Sequence, residues 1–217
     1  MASNVNILAN IMEDGTQSTA LNWIKRADTD TDYSGWRNRY GETIAQLGVI
    51  PQIDMPKVVI ELIKKMDKKS LDNRDDDNNC LVTSSIYYQD LFQSLMRTDV
   101  EMYTNNTDGI SSFALLAELG YLALMINLRV KYKFTINDEG NEGDSALVLS
   151  AMNNKASVVD YLLKNDIDLE DHFVGSWGKE YLKNLKDYKR VGEYVELFIK
   201  HDLMELVPEE VKDIFVF

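Results

Sequence analysis

The sequence predicts an all-α chain in which short helix-turn-helix units follow one another, each closed by a polar hairpin loop. Three observations carry the prediction. Apolar residues come in paired amphipathic runs, such as 146–151 and 158–163, split by the polar break Asn153-Asn154-Lys155. The clearest units open on a glycine followed two residues later by a serine, Gly109-Ile110-Ser111 and Gly143-Asp144-Ser145. Gly109, Gly143 and Gly178 fall 34 and 35 residues apart, so turn chemistry and spacing agree.

Composition bounds the rest. With 217 residues, 45% hydrophobic and 27% charged, the chain suffices for one domain over 1–217 or for a short repeat array. Three Pro and 11 Gly argue against a long disordered linker. Apolar runs of only a few residues predict no membrane span. The first residues lack the basic region and apolar core of a signal peptide, so the expected compartment is cytoplasmic. The single cysteine, Cys80, excludes an internal disulfide or a cysteine zinc cage; beside Leu81 and Val82 it reads as a buried structural thiol. A net charge of -13 repels phosphate, which argues against direct nucleic-acid binding. Lys64, Lys65, Lys68 and Lys69, and the cluster at 183–190, are interleaved with acids and look like solvated helix faces. A strong negative field instead steers a basic protein toward the chain, although acidity that merely confers solubility remains open.

In chain order, Ile7, Leu8, Ile11 and Met12 form a helical stripe that ends before Asp14-Gly15. Ser18 or Thr19 is expected to cap a second segment holding Ala20, Leu21, Trp23 and Ile24. Together these cover 1–39 as capping helices. The aspartates Asp28, Asp30 and Asp32 suggest a calcium loop, but the required Gly and Glu are replaced by Tyr33 and Arg39, so no metal site is assigned. Gly41-Glu42-Thr43 restarts the pattern over 40–171. Ile44, Leu47 and Val49 follow it, then Pro56 at the first turn of a second helix with Val58, Val59, Leu62 and Ile63 on its face. Residues 72–79 are the most polar stretch and are expected at an exposed hairpin tip. The next unit, 80–96, lacks an opening glycine; it carries Leu81, Val82 and Ile86, then Leu91, Phe92 and Leu95, with Tyr87 and Tyr88 near its turn. Gly109 opens a unit with Phe113, Leu115, Leu116 and Ala117, a turn at Gly120-Tyr121, and Leu124, Met125 and Leu128. Residues 131–136 alternate and are read as hairpin backbone leading to a turn at 137–141. Residues 172–217 form the terminal cap and tail, with Tyr181, Leu182 and Leu185, then Val191, Tyr194, Val195 and Phe198, and an apolar end at Ile214-Phe215-Val216-Phe217.

Gly143, Ser145, Leu147, Ala151, Val158, Val159, Leu162 and Leu163 stand where the ankyrin repeat has Gly-x-Thr-Pro-Leu-His-x-Ala-Ala and Val-Val-x-Leu-Leu-Leu, and the chain resembles that family. Ala146 and Val148 replace its Pro and His, Asn154 replaces its turn glycine, and Gly120-Tyr121 stands for its Gly-His. The resemblance implies an ankyrin-repeat solenoid of about five to six helix-turn-helix units, clearest at 107–137 and 142–171. It implies protein–protein binding without intrinsic chemistry or cofactor, through hairpin tips and inner helix faces. The matching tip residues are Asp75, Asp76, Asp77, Asp138, Glu139 and Glu142; those on helices are Ile86, Tyr87, Glu118, Leu119, Met152 and Asn153.

The expected function is therefore an acidic inhibitor or adaptor that covers a basic protein surface. Its sharper form is a nucleic-acid mimic of phage, viral or bacterial-effector type directed at a nuclease or another nucleic-acid-binding protein, in the producing cell or an infected host. A structural homo-oligomer is the alternative. A hydrolase built on the aspartate cluster is disfavoured, because His172 and His201 lie far from it in sequence and no catalytic motif is present.

Overall fold

The structure, a computed structural model, describes residues 4–27, 31–137, 145–165, 197, 200 and 201. Two compact units divide the chain, Met1–Thr107 and Asp108–Phe217. Every regular element among the described residues is helical, apart from one isolated antiparallel bridge between Arg74 and Cys80.

The first unit is built from helix pairs. Helix α1 (Asn4–Asp14) buries Val5, Leu8, Ala9 and Met12, and α2 (Gln17–Arg26) buries Ala20 and Ile24. Thr16, rather than Ser18 or Thr19, caps α2; its side chain accepts the Thr19 N–H at 3.2 Å. The cap is thus the first hydroxyl after Gly15, two to three residues ahead of the expected ones. Helix α3 (Ile44–Leu47) opens on a reciprocal cap, with Gln46 N–H donating to Thr43 Oγ1 and Thr43 N–H to Gln46 Oε1. Helix α4 (Pro56–Ile63) begins at the predicted proline, and a single helical turn, α5 (Lys68–Leu71), capped by Asp67, occupies the lysine cluster. Helices α6 (Leu81–Ser84) and α7 (Gln89–Leu95) complete the unit. Two rows result: α1 packs on α3 and α3 on α6, while α2 packs on α4 and α4 on α7.

In the second unit α8 (Ser112–Leu119) is followed by α9 (Leu122–Tyr132), and α10 (Ala146–Met152) by α11 (Ala156–Leu163). Helix α10 packs on α8 and on α11. The expected hairpin backbone at 131–136 is corrected here: Lys131 and Tyr132 finish α9, Lys133 ends it in a left-handed conformation (φ 58°), and Phe134 and Ile136 are buried. Alternation arises because only those two side chains turn inward after the helix ends.

The second helices share one burial code. Val58, Val59, Leu62 and Ile63 of α4 have their counterparts in Leu91, Phe92 and Leu95 of α7, Leu124, Met125 and Leu128 of α9, and Val158, Val159 and Leu162 of α11. Spacing of three, four and seven from the entry residue sets them on one helical face, and burying each such side chain contributes about 1.5–3 kcal/mol. The path from first-helix cap to second-helix entry is less regular. It takes 10 residues from Ser111 to Tyr121 and from Ser145 to Lys155, but 12 from Thr43 to Met55 and 8 from Cys80 to Tyr88. The long and short turns meet, since Tyr88 Oη donates to Asp54 Oδ1 at 2.8 Å.

Candidate binding surface: hairpin tips and inner helix faces

The tips are defined by the backbone two residues ahead of each first-helix cap. Gly41 (φ 74°), Asn78 (φ 66°) and Gly109 (φ 81°) all adopt the left-handed conformation there. Asn is the side chain that tolerates this region best, so Asn78 supplies the glycine that the unit at 80–96 lacked in sequence. The inter-helix turns repeat the substitution: Gly120 (φ 79°) is matched by Asn154 (φ 57°).

At the tip before α6, Asp75 holds the turn. Its Oδ1 accepts the N–H groups of Asp77 at 3.0 Å and Asn79 at 2.8 Å, while its backbone exchanges hydrogen bonds with Asn78 and Asn79. Asp76 and Asp77 project into solvent, and neither has a cation paired to it among the described residues. Neighbouring tips are tied together. Asp76 N–H donates to the Tyr40 carbonyl at 3.0 Å, Asn73 Nδ2 to the Gly41 carbonyl at 3.1 Å, and Gln46 Nε2 to the Asn79 carbonyl at 3.0 Å. Arg74 continues the ladder by donating to the Asn78 and Asn105 carbonyls and to Thr104 Oγ1 at 2.6 Å. The carboxylates thus sit on an edge cross-tied by these hydrogen bonds.

Of the other predicted contacts in the first unit, Tyr87 is 67% exposed, whereas Ile86 is 1% exposed. Ile86 is therefore a core residue, and its assignment to a binding face is corrected: a side chain removed from solvent offers no contact area. In the second unit Glu118 and Leu119 are half-buried, while Met152 and Asn153 are exposed. Asn153 Nδ2 donates to the Leu149 carbonyl at 3.0 Å and so also closes α10. Asp138, Glu139 and Glu142 lie outside the described residues, as do His172 and the whole 172–196 stretch of the terminal unit. Two exposed aromatics were missed: Tyr40, at 52%, with the Arg39 guanidinium 4.7 Å from its ring centre, and Tyr103, at 51%. An aromatic just before the tip glycine was the available signal for Tyr40.

Several ionisable groups among the described residues are tied into the structure by hydrogen bonds. Burial and its hydrogen bond to Asp54 push the Tyr88 hydroxyl up to about 12. Hydrogen bonds from Ser70 hold the Asp67 carboxyl below its ordinary value. Burial raises Asp160, but hydrogen bonds from Lys164, Lys200 and His201 outweigh it and hold that carboxyl well below the usual range. Cys80 is buried, with Sγ 3.2 Å from Thr83 Oγ1 and 3.3 Å from Thr104 Oγ1. No group of three His, Cys, Asp or Glu side chains placed to hold a metal occurs among the described residues, and no described helix is long and apolar enough to cross a membrane.

No protein-family model matches the sequence, and no curated protein matches it either. Solved structures do match in shape. An ankyrin repeat domain from Acinetobacter baumannii superposes with a TM-score of 0.64 at 13% identity, over 90% of this chain and 97% of that one. The fold is that of an ankyrin-repeat protein. The ankyrin repeat domain of Bcl-3, of the IκB protein family, gives 0.61 at 15% identity over 89% and 85% of the two chains. A chain in the complex of a predatory endopeptidase from Bdellovibrio bacteriovorus with an immunity protein gives 0.57 at 18%, over 75% and 82%. Stacked repeats of this kind share a continuous core and align their hairpin tips and first-helix faces along one side.

Proposed function

We propose that the chain is a non-enzymatic binding module whose acidic hairpin tip docks on a basic protein surface and blocks it. The observation that carries this reading is the division of labour at 75–77: Asp75 fixes the turn, while Asp76 and Asp77 are left outward and unpaired among the described residues. In a chain of net charge -13 such a tip adds a local anchor to a long-range field that accelerates encounter with a cationic partner. Exposed Tyr87 and Tyr40 supply contact area at low entropy cost. A fold neighbour solved in an endopeptidase–immunity protein complex supports an inhibitor over a passive scaffold. In its sharper form the partner is a nuclease or another nucleic-acid-binding protein whose phosphate site the carboxylates occupy, which suits a phage, viral or effector protein acting in a cytoplasm.

Affinity capture with the wild-type chain and with a variant carrying Asp76→Asn and Asp77→Asn, each at low and high salt, tests the proposal. A basic partner retained by wild type, released by salt and weakened about tenfold by the double variant is the expected result. Retention of the same partner by the variant, or binding indifferent to salt, overturns it.

A further inference from the structure

The outer side of the first helix pair carries a feature that partner docking at the tips does not use. Thr19, Asn22, Trp23 and Arg26 recur at spacings of three, four and seven and so share one stripe of α2, turned from the face that buries Ala20 and Ile24. With Asn4 and Ile11, one stripe of α1, they line an open cleft of about 530 Å³. That lies within the range of about 300–1,000 Å³ usual for small-molecule sites.

The chemistry of the lining is one-sided. Among the described residues no carboxylate lines it, although the chain as a whole holds 36 Asp and Glu against 23 Lys and Arg. Among the described residues, neither the Trp23 indole N–H nor the Arg26 guanidinium has a hydrogen-bond or ion-pair partner. The other described tryptophan behaves differently: Trp36 Nε1 donates to Asn6 Oδ1 at 2.7 Å. Thr19 Oγ1 is engaged by Thr16 Oγ1 at 2.9 Å, and Asn4 Nδ2 donates to Thr31 Oγ1 at 3.3 Å. The uncommitted groups that can act only one way are thus donors, one of them a fixed positive fork, beside the flat indole and the aliphatic Ile11.

We propose that this cleft binds a small carboxylate with a flat apolar body, of the arylacetate kind. The carboxylate accepts from the Arg26 guanidinium, which matches its geometry in a bidentate pair, and the ring lies against Trp23 and Ile11. The Asn22 amide is placed to read a polar substituent.

The test follows the Trp23 indole N–H resonance by ¹H–¹⁵N NMR during titration with phenylacetate and with its neutral analogue phenylacetamide, the peak being assigned by its loss in Trp23→Phe. A saturable shift with phenylacetate is expected, about tenfold weaker for phenylacetamide and for Arg26→Gln. Arg26 is exposed, so the remaining spectrum of Arg26→Gln stays that of the wild type and separates lost binding from lost fold. Equal binding of the amide, undiminished binding by Arg26→Gln, a response confined to Trp36, or no saturable shift at Trp23 overturns the proposal. The Asp76→Asn, Asp77→Asn variant binds phenylacetate as wild type does, which keeps this site separable from the partner surface.

Discussion

Asn154 stands in a left-handed conformation (φ 57°), and its buried Oδ1 has no hydrogen-bond partner among the described residues. Both conditions cost free energy: the backbone region is unfavourable for side chains with a Cβ, and a buried unpaired oxygen loses its hydration. Asn154→Gly removes both, against an entropic loss of about 0.5–1 kcal/mol for the freer unfolded chain. The net expected outcome is a gain of about 1 kcal/mol, read as a higher urea midpoint at unchanged m-value. At Tyr88 the direction is opposite. Tyr88→Phe forfeits the hydrogen bond to Asp54, a loss of about 0.5–1 kcal/mol at this partly exposed site. A tyrosine whose folded pKa is raised to about 12 contributes stability that is complete below its unfolded value of about 10. That contribution is lost as the pH rises from there through the folded value. Alkaline unfolding curves of wild type and Tyr88→Phe should therefore converge over that window.

Among the elements, α3 shows how closely the rows approach. A Cβ built on Gly48, which ends that helix at φ -73°, would run into Val59 Cγ2 of α4 and lie 3.0 Å from Met12 Cε of α1. Gly48→Ala has no backbone strain, so the clash decides, and a loss of about 1–3 kcal/mol is expected in thermal unfolding. No sequence signal marked Gly48, because contact among three helices is a property of the stack and not of any segment. What could be read was local. Pro56, the Val58-Val59 and Leu62-Ile63 pairs and the Gly-x-Ser openings announce helix entry and burial through period and cap chemistry alone. The candidate surface was half legible for the same reason. Asp76 and Asp77 lie in a run too polar to bury, whereas Ile86 was misplaced because the 8-residue path from cap to second-helix entry in its unit shifts the register by which exposed positions are counted. Asn78 was legible in principle, since asparagine is the usual substitute for glycine at a left-handed tip.

For the molecule as a whole, a net charge of -13 works against compaction by self-repulsion. Sodium chloride raised to physiological strength shrinks the screening length to about 8 Å, so the melting temperature is expected to rise with salt. A melting temperature that drops with salt would mean that ion pairs such as Lys68–Asp72 outweigh the repulsion. Acid acts through the carboxylates with depressed pKa values. The stability tied to Asp67 and Asp160 is complete above the ordinary carboxylate value of about 4 and is lost as the pH falls through their lower folded values. The pairing of a 12-residue path from cap to second-helix entry with an 8-residue one bears on how such a protein could be rebuilt. Residues 43–96 make a single transplantable cassette: a consensus repeat exchanged for either half alone would strand Asp54 or Tyr88 without its complement, whereas moving both together preserves the join.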